Sequence, residues 1–159
     1  MREAIDSRIQ IRRAEPEHAE LLTRIAQAAK GYWSYPDRWM ALWQGILTIT
    51  PEFISINQVY SATLDGRIVG FYGMIVSGGE AILDHLWVHP DQIGTGIGRA
   101  LFSHAVKLAT SMNAATIEIE SDPNAEEFYK RMGATRIGVS RSQVDGTERL
   151  LPLLRFEIK

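Results

Sequence analysis

The chain has no cysteine among its 159 residues. That excludes disulfides, thiolate nucleophiles and zinc-thiolate sites, and it suits a reducing compartment. Positive charge is not in surplus either, since 17 Lys and Arg stand against 19 Asp and Glu for a formal net charge of -2. This balance gives no reason to expect nucleic acid or an anionic membrane as partner. No apolar run reaches the length of a membrane span, and Met1-Arg2-Glu3-Ala4-Ile5-Asp6 lacks the apolar core of a secretion leader. His18, His89 and His104 are scattered without metal-ligand spacing, so they read as solvated or packing residues and no metal site is expected. What is left is a cytoplasmic protein forming one domain over 1–159, long enough to bury a core without covalent help.

The most informative stretch present runs Leu83-Asp84-His85-Leu86-Trp87-Val88-His89-Pro90 into Gly94-Thr95-Gly96-Ile97-Gly98-Arg99 and then an apolar helix. A strand that hands a glycine-lined turn to a helix start is a place to hold phosphates. The first amides of a helix point outward without partners, and glycines let the backbone come within hydrogen-bond reach of a pyrophosphate. The dinucleotide fingerprint fails: from Gly94 its third glycine falls on Arg99, and from Gly96 on Leu101. Glu118 does lie about twenty residues further on, as a Rossmann motif requires, but the element order before the loop is wrong for one. Close packing alone also explains such a turn.

Elsewhere the pattern predicts a strand at Ile9 to Arg13, a helix starting at Glu15-Pro16 and ending near Gly31, and a helix from Pro36 to Leu47 interrupted at Thr50-Pro51. Val59 to Leu64 and Arg67 to Val76 flank Asp65-Gly66 as a hairpin, and Ala81 to Val88 is the next strand. After the helix that reaches Met112 come a strand at Thr116 to Glu120 and a helix from Asp122-Pro123 to Gly133. Strands at Thr135 to Val139 and Arg149 to Ile158 follow, with Pro152 suggesting an edge or bulge.

Two segments resemble the GNAT superfamily of N-acyltransferases. Gly96 and Gly98 fit the two small positions of its Gln/Arg-x-x-Gly-x-Gly/Ala loop, after a strand closed by Val88-His89-Pro90; Ile93 stands at the first motif position, with Gln92 one residue earlier. Asn124-Ala125-Glu126-Glu127-Phe128-Tyr129-Lys130-Arg131-Met132-Gly133-Ala134 is similar to the family's Asn-x-x-Ala-x-x-Phe-Tyr-x-x-x-Gly-Phe region, shortened between Asn124 and Ala125. The resemblance spans nearly the whole chain in element order. It implies a mixed α/β fold with a mostly antiparallel sheet of about seven strands, flanked by helices and splayed at the cofactor site.

It further implies transfer of an acetyl group from acetyl-coenzyme A to a primary amine within a ternary complex, with no covalent intermediate. The main chain of Leu86, Trp87 and Val88 would hydrogen-bond the pantetheine arm as an added strand would. Gln92, Ile93, Gly94, Thr95, Gly96, Ile97, Gly98 and Arg99 would cradle the pyrophosphate, with Asn124 a contact to the arm. Tyr129 carries over as the general acid for the departing thiolate, although its helical spacing with Ala125, Phe128 and Met132 by itself places it in the core. A lysine-like amine of pKa about 10.4 must first lose a proton, which costs up to about 4.6 kcal/mol at pH 7. Asp84, His85 and Glu80 are candidate bases on or beside the cofactor strand, with water as the alternative. Strand alternation sends Asp84 and His85 to opposite faces, where either also serves as a polar group satisfied in a buried strand.

The aromatic segment Tyr32-Trp33-Ser34-Tyr35-Pro36 with Trp39, Met40 and Trp43 falls where the family binds its acceptor. Trp33, Tyr35 and Trp39 are therefore candidate substrate contacts, while Trp39 and Trp43 also share the spacing of a packed helix face. The acceptor is a small-molecule or peptide amine, the short chain suiting the former, and a homodimer is allowed. A non-catalytic coenzyme A-binding sensor or interaction module is the alternative reading.

Overall fold

The computed structural model describes residues 8–159; the segment 1–7, including the Met1 to Asp6 stretch considered above, lies outside the described residues. Seven strands form one sheet in the order β1-β2-β3-β4-β5-β7-β6. They are β1 (Ile9–Arg13), β2 (Gln58–Leu64), β3 (Arg67–Ser77), β4 (Glu80–Val88), β5 (Thr116–Glu120), β6 (Thr135–Val144) and β7 (Thr147–Glu157). Every adjacent pair is antiparallel except β4 and β5. The β2–β3 turn uses Asp65 and Gly66, both at positive φ, as the Asp-Gly pair requires. Asp145-Gly146 does the same between β6 and β7, extending both strands beyond the lengths predicted from sequence.

Helices cover the two faces. On one, α1 (Ala19–Gly31), α2 (Asp37–Leu42), α3 (Gln44–Leu47) and α4 (Pro51–Ile56) bury Leu22, Ile25, Trp43, Leu47 and Ile54 against Val59 and Phe71. On the other, α5 (Ile97–Ser111) and α6 (Glu126–Arg131) bury Leu101, Phe102, Ala105 and Tyr129 against Met74, Leu83 and Ile117. The single helix expected from Pro36 to Leu47 is two, separated at Trp43. The expected interruption at Thr50-Pro51 instead starts α4: the Thr50 hydroxyl accepts from the Phe53 amide at 3.0 Å, and Pro51 takes the first turn, where its missing N–H is harmless.

Pro152 lies on an interior strand, not at an edge, and β6 is the edge. Its carbonyl accepts from the Ser121 amide at 2.9 Å, just past the end of β5. A residue's N–H and C=O point to the same side of an extended strand, so the absent proton faces a place where the β5 ladder has already stopped.

Two irregularities in β4 make the site. Its pairing with β3 passes from Met74–Leu83 to Gly73–His85, leaving Asp84 as an extra, unpaired residue in a bulge. Its parallel pairing with β5 ends at Leu83–Ile119, so Leu86 to Val88 continue with no strand on that side. The sheet is splayed there, as the resemblance implied.

Candidate active site

A cavity of about 610 Å³ opens at this splay. Leu86, Trp87 and Val88 form one wall, the glycine turn and the start of α5 form its end, and Asp122, Asn124 and Tyr129 form the facing wall. Among the described residues no cluster of three His, Cys, Asp or Glu side chains suits a metal ion, and no helix is long and apolar enough to cross a membrane.

The end of the cavity is made from backbone. Gly96 caps α5 with φ +94° and no side chain, a conformation that L-residues rarely adopt. The first helical bond runs from the Ala100 amide to the Gly96 carbonyl at 3.0 Å, which leaves the amides of Ile97, Gly98 and Arg99 without helical acceptors at the positive end of a 15-residue dipole. A Cβ on Gly98 would sit 3.4 Å from the Phe128 ring, so this glycine also serves the close packing of α5 on α6. Gln92 holds the turn, its carbonyl accepting from the Thr95 amide at 3.3 Å and hydroxyl at 2.6 Å. Ile93, Gly94, Thr95 and Arg99 line the cavity, whereas the Ile97 side chain is fully buried in the core and offers only its amide. The unpaired β4 edge, a row of free amides and a cavity between them fit an extended arm ending in a pyrophosphate.

Tyr129 projects from α6 into the same space. It is 6% exposed, and its hydroxyl has no hydrogen-bond partner among the described residues, yet it is not sealed from the cavity. Burial first, and then the nearby Asp122 charge, push its phenol well above the ordinary range, so the proton is held at neutral pH. The ring packs on Phe102 and Phe128, as its helical spacing requires, while the residue still lines the cavity.

The base candidates separate. Glu80 begins β4, six residues before Leu86 and so roughly 20 Å from the splay along an extended strand. Asp84 and His85 do not face opposite sides as simple alternation requires, because the bulge brings the Asp84 carboxylate to 3.5 Å from His85 Nε2. The Trp87 indole donates to His85 Nδ1 at 3.0 Å, which places the neutral ring's proton on Nε2, toward Asp84. Burial lowers the His85 pKa, and Asp84 partly restores it. Neither residue lines the cavity, and His85 meets its wall through Trp87. Asp84 remains solvent-accessible, its side chain 45% exposed.

The aromatic segment divides as well. Trp33 lines the cavity rim and is half-exposed. Tyr35, Trp39 and Trp43 instead pack on one another and already hold the chain's own cations. Lys30 Nζ lies 4.4 Å from the Trp43 ring centre, and the Arg149 guanidinium lies over all three rings. Both cations converge on Asp122, Lys30 at 2.6 Å and Arg149 at 3.9 Å. Burial would raise the Asp122 pKa, but hydrogen bonds from Lys30, the Asn124 amide and the Tyr35 hydroxyl outweigh it and hold the carboxyl below its ordinary range. Sequence reasoning missed Asp122. Counted back from Ala125-x-x-Phe128-Tyr129, however, the family's Asn-x-x-Ala-x-x-Phe-Tyr pattern puts its first position on Asp122, with no shortening, and not on Asn124.

Residues 49–150 match the family described as the acetyltransferase (GNAT) domain, well over half of the chain. The chain is 32% identical over 154 residues to the peptidyl-lysine N-acetyltransferase YjaB of Escherichia coli, covering 93% of this chain and 95% of that protein. The Salmonella typhimurium protein of the same name is 31% identical over 136 residues, covering 76% and 89%. Among solved structures, a GCN5-related N-acetyltransferase from Rhodopseudomonas palustris superimposes with a TM-score of 0.77 at 23% identity, covering 93% of this chain and 94% of that one. The PaiA N-acetyltransferase of Thermoplasma acidophilum, solved with coenzyme A, gives 0.74 at 17% identity, covering 94% and 98%. The chain belongs to the GNAT acetyltransferase family and is an acyltransferase.

Proposed function

We propose that this protein transfers an acetyl group from acetyl-coenzyme A to the side-chain amine of a lysine in a peptide or protein, by direct attack in a ternary complex. The observation that carries the reading is the Tyr129 hydroxyl, open to the cavity across from the unpaired edge of β4. The lysine acceptor is supported by the names of the two relatives. It is supported also by the apolar lining at Trp33 and Trp87, which suits the methylene stem of a lysine. A small-molecule amine is the competing acceptor.

When bound, acetyl-coenzyme A supplies an activated acyl group as a thioester. The main chain of Leu86 to Val88 aligns the donor's arm, and the amides of Ile97 to Arg99 take its phosphate charge. Alignment itself removes much of the barrier, since a held amine and carbonyl react as one molecule. The amine's proton leaves through water to the Asp84–His85 pair. Asp84 is the acceptor in that pair, because His85 Nδ1 is occupied by the Trp87 indole and Nε2 already carries the ring's proton. Tyr129 meets the departing sulfur. Its raised pKa makes outright proton transfer uphill, so its first contribution is a hydrogen bond to charge developing on sulfur; the proton follows as the carbon–sulfur bond breaks, and the second proton of the acylated nitrogen restores the phenol through water.

The test is an acceptor panel run with acetyl-coenzyme A, following thiol release together with acetyl incorporation by mass spectrometry. Peptides with an internal lysine and a blocked N-terminus are expected to have the highest kcat/KM. Activity confined to small amines would overturn the acceptor assignment, and thiol release matched by no acetylated amine would overturn the transfer itself.

A further inference from the structure

The Asp122 network is costly to build. Lys30, Asp122 and Arg149 have side chains only 11%, 10% and 12% exposed, and removing charges from water to this degree costs several kcal/mol per ion before their attraction offsets it. It joins the end of α1, the aromatic segment, the start of β7 and the turn before α6, segments far apart in sequence. Such an arrangement contributes fixed geometry more readily than stability.

What it fixes can be read from hydrogen-bond capacity. The Asp122 carboxylate accepts from the Asn124 backbone amide at 2.8 Å and from Asn124 Nδ2 at 3.0 Å. The Tyr35 hydroxyl donates to Asp122 at 2.9 Å, which leaves its lone pairs to accept from Asn124 Nδ2 at 3.1 Å and from Arg149 Nη2 at 2.9 Å. Both protons of the Asn124 side-chain amide are therefore spent on Asp122 and Tyr35. Turning the amide over would set its oxygen against a carboxylate. The remaining group is the Asn124 carbonyl oxygen, a pure acceptor, on a residue that lines the cavity.

We propose that Tyr35 and Asp122 are positioning residues that lock the Asn124 amide in one orientation, so that its carbonyl oxygen accepts an N–H of the pantetheine arm of coenzyme A. This deepens the function proposed above and rests on it. It also reassigns Tyr35: the hydroxyl acts on the donor through Asn124 and not on the acceptor amine. Lys30 and Arg149 hold the carboxylate and the phenol in place.

The test is a double-mutant cycle read by calorimetric binding of coenzyme A to folded protein, with thermal melts as the check on folding. Tyr35→Phe keeps the ring that packs on Trp39 and Trp43, and it is expected to weaken coenzyme A by about threefold to tenfold, the net worth of one hydrogen bond. Asn124→Ala should cost a similar factor, and the double variant no more than Asn124→Ala alone. Asp122→Asn, which keeps the shape but ends the charge preference for one amide orientation, should weaken binding in the same direction and serves if Tyr35→Phe is unstable. Wild-type affinity in Tyr35→Phe, no effect of Asn124→Ala, or losses that multiply in the double variant would each overturn the inference. Wild-type protein that fails to bind coenzyme A would overturn the donor reading beneath it instead.

Discussion

The wall formed by β4 and the start of α5 offers the cavity backbone groups, whereas the facing wall offers the side chains of Asp122, Asn124 and Tyr129, held from behind by a network drawn from four separated segments. The first wall needs only a strand that loses its neighbour, a left-handed glycine and the beginning of a helix, all within twenty residues. The second needs Lys30, Tyr35, Asp122 and Arg149 to converge, and none of them is useful alone. Backbone chemistry depends little on side-chain identity, so Ile93 at the first motif position, half-exposed on the turn, is compatible with it. Side-chain chemistry has no such tolerance. Single substitutions should therefore act by different routes on the two walls.

The largest effect is expected on the facing wall. Tyr129→Phe removes one hydroxyl and keeps the ring that packs on Phe102, so turnover should fall by about 10²–10⁴-fold where chemistry limits the rate, with the melting temperature little changed. Steady-state rates at saturating acetyl-coenzyme A measure this, and near-normal turnover would return Tyr129 to a packing role. On the backbone wall, Gly96→Val must adopt φ +94° and put a branched side chain in front of the helix amides. Strain of about 1–3 kcal/mol falls on the stability of the fold, while the branched side chain in front of the amides makes roughly tenfold or greater weakening of coenzyme A binding the expected result by calorimetry. Unchanged affinity would erase the contrast between the walls.

The smallest effects belong to the bulge. Asp84→Asn should alter the pH profile of kcat more than coenzyme A affinity, while His85→Gln, which removes only the partner of the acceptor, should alter it less. His85 also leaves a mark on stability. Its folded pKa lies below the ordinary 6.5, so the unfolded chain binds the proton first, and stability is held above about pH 6.5 and lost as pH falls toward the folded value. His85→Gln should flatten that acid limb in melts between pH 5 and 7; a limb of unchanged steepness would place the shift elsewhere, with His104 the other histidine whose pKa burial lowers.

The same contrast explains what was legible in the sequence. The Asp65-Gly66 hairpin, the β4-to-α5 turn and the bounds of β1 and β5 are local features, and they were readable as such. Asp145-Gly146 carried the same turn chemistry, and Thr50-Pro51 an ordinary helix start, so those two differences lay within reach of the sequence. The Asp84 bulge was not, because one inserted residue on a strand changes no composition and cancels the alternation on which face assignment depends. The filling of the aromatic cluster by Lys30 and Arg149 was further out of reach. Arg149 is 114 residues from Tyr35, and periodicity says nothing about contacts at that separation.

The central claim is direct transfer between two substrates held together by these two walls. Initial rates over a grid of acetyl-coenzyme A and lysine-peptide concentrations test it most directly: the account predicts intersecting double-reciprocal lines and no acetyl group on the protein after exposure to donor alone. Parallel lines, with an acetylated enzyme that passes its group to peptide after the donor is removed, would contradict it.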